Sequence, residues 1–329
     1  MNWFLYLILR KAAQFLALVL LLTFFTFLLS SLIPGDFYSA RQLEPSVRRE
    51  TVELQRQAYG LDQPFIRQYL RWLRRAAEFD LGYSLFYQGP VAPVVARALY
   101  RTAWIGIPAL IIALAVGAVV GSAHALHQGR AVGFAIGSVT TVLLSLPTLV
   151  LGLISLLLAA RTQWFPLGGM NEPTLGSVTA AEWLFDRLHH VLLPVFCLAV
   201  PLTAYVERIQ YAAATVSLEH AAYRSARARG LSAPRLFFNH LVRPSLNPLL
   251  SISGPLFAAA LSGSLVIEVI FSWPGLGQVT YEALFSRDLF LLVGCVMATS
   301  LLLMIGSVGA DLLLYALDPR IRSEERMRT

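Results

Sequence analysis

Two apolar runs on either side of a polar stretch decide the fold of this chain. Residues 191–211 read VLLPVFCLAVPLTAYVERIQY, and residues 245–271 read SLNPLLSISGPLFAAALSGSLVIEVIF. Each run has the length of about 20 apolar residues with which an α-helix crosses a bilayer. Residues 212–244 read AAATVSLEHAAYRSARARGLSAPRLFFNHLVRP and carry the charge. The pattern predicts two membrane-spanning helices joined by a polar loop.

Four further apolar runs have a similar length. The chain is 57% hydrophobic and only 14% charged, with a mean hydropathy of +0.63, whereas soluble domains carry about 25% charged residues. We therefore predict an all-α membrane protein with six transmembrane helices. The additional runs are residues 12–33, 102–127, 132–160 and 289–317.

The first run has an alternative interpretation as a cleaved signal peptide. The apolar part of a signal peptide is about 7–15 residues long and ends at a small-residue cleavage site. The run here is longer, and a Pro-Gly-Asp turn follows it at residues 34–36. We favour an uncleaved first span.

The placement of basic residues predicts the orientation. If the N-terminus is cytoplasmic, the cytoplasmic segments hold thirteen lysines and arginines, and the two short outer loops hold three. Residues 34–101 carry ten more arginines, but the positive-inside rule applies to short loops. We predict that both termini are cytoplasmic and that the chain is a multi-pass protein of the bacterial inner membrane.

The predicted organisation has four parts, arranged around the membrane core. The first is a cytoplasmic N-terminus with the first span, and the second is an extracytoplasmic segment in which Phe65, Tyr69, Trp72 and Leu73 recur at the spacing of an amphipathic surface helix. A core with five spans and a short tail follow. The boundaries are residues 1–33, 34–101, 102–317 (with the cytoplasmic loop 212–244) and 318–329.

Several classes of function lack the residues that they require. A P-loop needs Gly-x-x-x-x-Gly-Lys-Ser/Thr, and the only lysine, Lys11, has no glycine before it. The basic residues flank apolar runs instead of clustering with aromatic residues, which argues against nucleic-acid binding. The histidine pairs at 124/127 and 189/190 have no ligand cluster at metal spacing and are interpreted as interfacial or solvated. Cys197 and Cys295 fall inside apolar runs and are interpreted as buried hydrophobic residues.

The polar loop contains the pattern of a docking element. Arg224, Arg227 and Arg229 alternate with alanines, and Gly230 follows in the position of a helix C-cap. A second short helix is predicted from Pro234. A small-residue helix of this kind can seat in a groove of another protein. The alternative is a solvated basic loop.

Some residues inside the spans are candidates for the translocation pathway or its gate. A proline can break a membrane helix, small residues permit close packing, and an intramembrane carboxylate is a functional candidate. The alternative is ordinary packing, with Glu268 fixing the turn at residues 272–275 and Asp311 bonding to neighbouring helices. The gate candidates are Pro147, Ser262, Ser264 and Glu268.

The loop resembles the EAA loop of ABC importer permeases, in the variant of the dipeptide/oligopeptide/nickel importers. That variant's Arg-Thr-Ala-Arg-Ala-Lys-Gly-Leu corresponds to Arg-Ser-Ala-Arg-Ala-Arg-Gly-Leu at residues 224–231. Seven other motifs occur in the family's order along the chain. They are IPGD at 33–36, YGLDQP at 59–64, QYLRW at 68–72, DLGYS at 80–84, WFPLGG at 164–169, FSWPGLG at 271–277 and LDPRIR at 317–322.

The resemblance implies a type I ABC importer permease fold and a transport subunit that is not an enzyme. It implies that a second permease subunit, in a heterodimer, completes the pathway for di- or oligopeptides in the lipid membrane. One or two cytoplasmic ATPases would use ATP and Mg²⁺, an extracytoplasmic binding protein would deliver substrate, and this chain would bind no cofactor or metal. The implied ATPase-coupling residues are Glu219, Arg224, Ser225, Ala226, Arg227, Gly230 and Leu231.

The chain departs from the family pattern at two places. Where the family usually has an acidic-Tyr-Val step just before the first arginine, this chain has Ala221-Ala222-Tyr223, with Glu219 upstream, and Pro244 stands where the family commonly has asparagine. Other cargo within the same architecture stays open, namely nickel, glutathione, an oligosaccharide or an antimicrobial peptide. A stand-alone secondary transporter and a non-transporting scaffold are the alternatives from other classes, although no charged mid-membrane site is evident.

Overall fold

The computed structural model describes residues 3–32, 60, 63–171 and 179–317, and the predicted tail 318–329 lies outside them. Helices form nearly all of the described chain, with one two-stranded antiparallel hairpin. The elements are α1 Trp3–Leu32, α2 Phe65–Ala77, β1 Tyr83–Ser84, β2 Gly89–Pro90, α3 Val91–Leu126, α4 Ala131–Ser145, α5 Thr148–Thr162, α6 Ala180–Glu219, α7 Ala221–Ala228, α8 Ala233–Arg235, α9 Asn247–Ile270, α10 Leu276–Phe285 and α11 Leu289–Leu317.

The six-span prediction is confirmed when α4 and α5 are counted together. Five helical segments of the described chain are long and apolar enough to cross a membrane, and the bent pair α4–α5 makes a sixth. The last predicted run matches α11 at both ends. Others are longer than predicted: α3 begins at Val91, and α6 extends over both ends of the predicted run 191–211.

The third predicted run is broken in the middle, which corrects the prediction of one helix over residues 132–160. Helices α4 and α5 meet at an angle of 96°. Pro147 causes the break, because a proline has no N–H and excludes the helical conformation from the residue before it. Leu146 is accordingly extended at φ −79° and ψ 119°. Pro147 then caps the start of α5.

The chain divides into two compact units. The first comprises Met1–Thr102 and Pro274–Met304. Its apolar core joins α1, α2, α3, α10 and α11, with Phe27, Trp72, Val91 and Leu291 almost completely buried. The predicted amphipathic helix is confirmed as α2. Its apolar face packs on α1, where Tyr69 lies 5.5 Å from both Phe24 and Phe27 between ring centroids.

Two carboxylates fasten the hairpin of this unit. Asp288 accepts hydrogen bonds from Ser84 Oγ at 2.7 Å, from Phe86 N at 3.0 Å and from Leu291 N at 3.2 Å. Tyr87 Oη donates to Glu282 Oε2 at 2.5 Å. Burial raises the pKa of the Tyr87 phenol, and the Glu282 carboxylate raises it further. The hairpin therefore stays attached to α10 and to the start of α11.

The second unit comprises Ala103–Trp273 and Ile305–Thr329, and α6 runs through its centre. Small residues bring α3 close to α6. A Cβ on Gly121 would lie 2.6 Å from the Glu207 carbonyl oxygen, and one on Gly117 would lie 2.6 Å from Val206 Cγ1. Only glycine allows this approach of the two backbones.

The predicted second short helix of the loop is not separate. Residues 233–270 form one helical segment that leads directly into the fifth span. Within it, Leu236–Val242 is a π-helix and Arg243–Leu246 is a 3₁₀-helix. The Arg243 N–H reaches back five residues to Phe238 O. Pro244 has no N–H for the next α-type bond, which accounts for the change in winding at this point.

Candidate functional site

Helix α7 forms a short, well-delimited element in the polar loop. His220 precedes it in an extended conformation, and its Nδ1 accepts a hydrogen bond from Ala222 N at 3.4 Å. At the other end, Gly230 adopts φ +74°, and its N–H donates to Arg227 O at 3.0 Å. A left-handed residue after the last turn is the usual glycine C-cap. The predicted helix and its glycine stop are confirmed.

The two faces of α7 differ in exposure. Tyr223 and Ala226 are three positions apart and are both buried. Arg224, Ser225 and Arg227 are exposed, and Ser225 Oγ donates to the Ala222 carbonyl of its own helix. The arginines come one turn apart, so they stand side by side. The exposed face is therefore basic, and its other side chains, alanine and serine, are small.

The buried face of α7 rests on an apolar seat made by three parts of the second unit. Tyr223 packs with Ala125 at the end of α3, Ala214 in α6 and Leu241 in the π-helix. Leu126, Tyr211, Leu218, Leu236 and Phe237 surround this cluster. Helix α7 is therefore in packing contact with three helical segments, each of which continues into a span.

The seven predicted coupling residues occupy different positions. Glu219 is exposed but belongs to the last turn of α6. Ala226 is completely buried, so it faces the seat and lies off the exposed face. Gly230 is exposed and Leu231 is half-buried just after α7. The structure thus brings Arg224, Ser225, Arg227 and Gly230 together at the surface and separates Ala226 from them.

A buried polar pair lies next to this seat, and the sequence interpretation missed it. His124 Nδ1 is 2.6 Å from Glu207 Oε1, and Glu207 is completely buried. The His124 ring also stacks on Tyr211 with 4.0 Å between centroids. The interpretation of the histidines as solvated is wrong for His124 and for His190, which is buried beside Asp186. The available signal was Glu207 itself, a carboxylate inside a predicted span.

A second polar group ties the same three helical segments together. Gln210 Nε2 donates to Ser122 Oγ at 2.9 Å in α3 and to Ser245 Oγ at 2.6 Å in the 3₁₀ turn. Gln210 comes three residues after Glu207, so both side chains leave the same face of α6. All three side chains of the Gln210 group are buried. His124 and Glu207 are 83 residues apart in sequence, and Gln210 and Ser245 are 35 residues apart. The two groups together form one polar layer next to the seat.

The four gate candidates do not form one cluster. Pro147 stands at the bend between α4 and α5. Ser262 is exposed, whereas Ser264 and Glu268 are buried one turn apart on another face of α9. The Glu268 carbonyl accepts a hydrogen bond from Trp273 N at 2.8 Å, so its backbone holds the turn after α9. Gly263, between the serines, packs against Leu198 of α6, where a Cβ would lie 2.8 Å from Cδ1.

The cysteines are buried, as predicted. Cys197 Sγ lies 3.2 Å from Ser155 Oγ between α6 and α5, and Cys295 is part of the core of the first unit. Both thiols are reduced in the structure. Across the described ranges, no group of three or more His, Cys, Asp or Glu residues could hold a metal ion.

Comparison with known proteins identifies the class. The family model described as the binding-protein-dependent transport system inner membrane component matches residues 113–323, and the N-terminal model of the same systems matches residues 4–97. The chain belongs to this family. It is a multi-pass inner-membrane permease subunit of an ABC importer, a transport subunit that is not an enzyme.

Curated relatives align over almost the whole chain. The oligopeptide transport system permease protein AppB of Bacillus subtilis is 29% identical over 316 residues, covering 95% of this chain and 98% of its own. A Brucella abortus (strain 2308) protein, whose name assigns it to the permease of a peptide transport system, is 32% identical over 320 residues, or 96% and 98% of the two chains.

A solved structure confirms the fold. A chain of the inward-facing MetNI methionine ABC transporter superposes with a TM-score of 0.55 at 13% sequence identity. The alignment covers 68% of this chain and 96% of that chain. The type I importer permease fold predicted from the sequence is therefore confirmed.

Proposed function

We propose that this chain forms one half of an ATP-driven pathway that imports peptides, and that α7 is the helix on which a cytoplasmic ATPase docks. The exposed arginine face of α7, fixed on a seat shared by three helical segments, is the observation that carries the proposal. An anionic groove on the ATPase would pair with Arg224 and Arg227, since guanidinium groups form strong bidentate bonds with carboxylates.

The docking surface in this proposal is narrower than the sequence predicts. It comprises Arg224, Ser225, Arg227, Gly230 and Leu231, which lie at or next to the surface of the loop. Ala226 serves on the opposite face, where its small side chain lets α7 sit close to its seat. Glu219 is the last residue of α6 and would lie at the joint between α6 and α7.

The partners follow from the family and from the surface of the chain. A second permease, different in sequence, would complete the pathway, and one or two cytoplasmic ATPases would bind ATP and Mg²⁺. An extracytoplasmic binding protein would deliver the substrate. Both termini would be cytoplasmic, which places α7 on the side of the ATPases and is supported by the arginine distribution.

The proposed mechanism is a two-state switch biased by nucleotide. ATP binding would close the ATPases and displace α7 together with its seat. Because Tyr223 packs on the ends of α3, α6 and the π-helix, these segments would move as one body. The pathway would then change from inward-facing to outward-facing, and hydrolysis would reset it. The bend at Pro147 and the α9 residues Ser262, Ser264 and Glu268 are the proposed gate.

Peptides are the proposed cargo because both curated relatives described above have names that assign them to peptide transport. Nickel, glutathione, an oligosaccharide or an antimicrobial peptide would use the same architecture. Uptake of radiolabelled di- and tetrapeptides with the cognate binding protein distinguishes these cargoes. Competition by unlabelled nickel or oligosaccharide, with none by peptide, would contradict the peptide proposal.

The docking role is tested with the double variant Arg224→Glu/Arg227→Glu in the reconstituted complex. We expect the ATPase to dissociate and ATP-driven uptake to fall at least 10-fold, because both exposed charges are reversed. The matched control is Arg130→Glu, an exposed arginine in the loop before α4, which should keep uptake within 2-fold. Normal ATPase binding by the double variant would remove α7 from the interface.

A further inference from the structure

Helix α2 has a basic face that the transport function does not use. Its opposite face is buried on α1 through Tyr69 and Trp72. Arg67 and Arg74 are seven residues apart, which is close to two helical turns, so they project from the same side. Both are exposed. On a helical wheel they stand opposite the buried face.

These two arginines lack an acidic partner in the described part of the chain. The side chains of Arg67 and Arg74 make no hydrogen bond or ion pair there, whereas the guanidinium of Arg71 lies against the backbone of Gly60. Arg67 and Arg74 lie about 10.5 Å apart along the helix axis, close enough for two extended guanidinium groups to converge on one anion between them. The chemistry of the face therefore favours an anionic ligand.

An apolar flank lies directly beside the arginines. Ile66 and Leu70 are one turn apart on the side of the wheel next to Arg67 and Arg74, and their side chains are 53% and 58% exposed. An exposed apolar strip beside a row of cations is the arrangement of a helix lying in a membrane interface, with its apolar side towards the acyl chains.

The attachment of α2 to α1 also fixes its depth. Tyr69 and Trp72 pack at the level of Phe24 and Phe27. Phe27 lies sixteen residues after Lys11, where the first apolar run begins, and this corresponds to about 24 Å along the helix. The hydrocarbon core is about 30 Å thick. Measured from Lys11, α2 therefore packs on the far half of α1, towards the opposite boundary of the bilayer, where interfacial helices lie.

We propose that this face is a binding site for anionic phospholipid in the leaflet that surrounds the C-terminal end of α1. The phosphate lies between Arg67 and Arg74, and the acyl chains run along Ile66 and Leu70. An acidic protein segment would satisfy the arginines but would leave the two apolar side chains in water. A phospholipid satisfies both, because its phosphate and its acyl chains are joined in one molecule.

The test measures retention of lipid by the full chain purified with its partner subunits in detergent. Dioleoylphosphatidylglycerol is titrated in, and bound lipid is counted by native mass spectrometry, with dioleoylphosphatidylcholine as the uncharged-headgroup comparison. The variant is Arg67→Gln/Arg74→Gln. Its matched control is Arg97→Gln/Arg161→Gln, which removes two exposed arginines elsewhere on the same predicted side of the membrane. A third variant, Arg67→Lys/Arg74→Lys, retains the charge.

We expect the glutamine variant to bind phosphatidylglycerol roughly 30-fold more weakly, since each basic residue near an anionic lipid contributes about a factor of five. The control should stay within 2-fold, and the lysine variant should retain most of the binding. Equal binding by the wild type and the glutamine variant overturns the proposal.

Two further outcomes would also reject it. Displacement of the lipid by millimolar inorganic phosphate would identify a free-anion site. Loss of binding-protein association in the glutamine variant, with lipid binding unchanged, would identify a protein surface. Thermal unfolding of each variant in the same detergent separates lost binding from lost structure. Because both arginines are exposed, we expect the unfolding temperature to stay unchanged.

Discussion

The imidazole of His124 and the carboxylate of Glu207 meet at 2.6 Å in the interior of the second unit, immediately above the seat of α7. The pair joins α3 to α6, and Tyr211 stacks on its imidazole side while also bordering the apolar seat. A hydrogen-bonded pair inside a packed site permits few relative positions of the two helices. It therefore limits how far α3 and α6 can slide past each other.

Removal of the imidazole should destabilise the protein strongly. In His124→Ala the Glu207 carboxylate stays buried without its partner, and we expect a loss of about 3 kcal/mol. Glu207→Gln keeps an acceptor for the imidazole and should cost about 1 kcal/mol. Unfolding in sodium dodecyl sulfate, followed by circular dichroism, measures both. His127→Ala is the control, because the described contacts give the His127 ring one hydrogen-bond partner, the nearby Ala123 carbonyl; an equal loss there would contradict the pairing.

Two glycines of α3, Gly121 and Gly106, should respond in opposite ways to alanine. Gly121→Ala places a Cβ within 3 Å of the Glu207 carbonyl and of Gln210 Cβ, so α3 and α6 must separate, at a cost of about 1–3 kcal/mol. Gly106→Ala meets no atom within 4 Å and should stabilise the helix by roughly 0.5 kcal/mol. Both are measured by thermal unfolding in detergent. Similar shifts for the two variants would show that the helices are not in close contact.

The β1–β2 hairpin should depend strongly on the carboxylate of Asp288. Asp288→Ala leaves the donors of Ser84, Phe86 and Leu291 without their acceptor, which should cost about 2–4 kcal/mol and expose the hairpin to protease. Asp80→Ala removes a carboxylate that accepts from Gly82 N at an exposed site and should change stability by less than about 0.5 kcal/mol. Limited proteolysis of proteoliposomes, with fragments mapped by mass spectrometry, gives the result. Equal resistance in both variants would argue against the clamp.

The stop after α7 should tolerate asparagine better than alanine. Gly230 has a left-handed backbone, which costs about 1 kcal/mol for alanine and less for asparagine. No atom lies within 4 Å of a Cβ at this position, so the effect comes from the backbone and not from crowding. We expect ATP-driven uptake to fall in Gly230→Ala and to recover largely in Gly230→Asn. The reverse order would mean that the side chain at 230 acts by contact.

The span pattern and helix α7 could be predicted because each depends on local sequence. Runs of about 20 apolar residues have no other stable conformation in lipid, and Gly230 terminates α7 through its own backbone. The bend at Pro147 was harder to predict, since many membrane helices accommodate a proline with only a kink. Here the bend reaches 96°.

The polar layer could not be predicted from periodicity. His124 and Glu207 are 83 residues apart, and each alone is typical of an interfacial residue near the end of a span. Their pairing depends on the glycines of α3, which bring its backbone against α6. Ala226 is a similar case. Its place in the motif suggests that it contacts a partner, but it lies on the same buried face of α7 as Tyr223.

The π-helix at Leu236–Val242 determines the rotational setting of the fifth span. A π turn contains more residues than an α turn, so its length sets the azimuth of all of α9 relative to α7. Deleting one residue there would turn the later side chains by about 100°. Ser264 and Glu268 would leave their buried positions while the exposed face moved inwards. The number of residues between α7 and α9 therefore fixes which side chains of α9 are buried. Insertions or deletions in this segment should be tolerated far less well than substitutions.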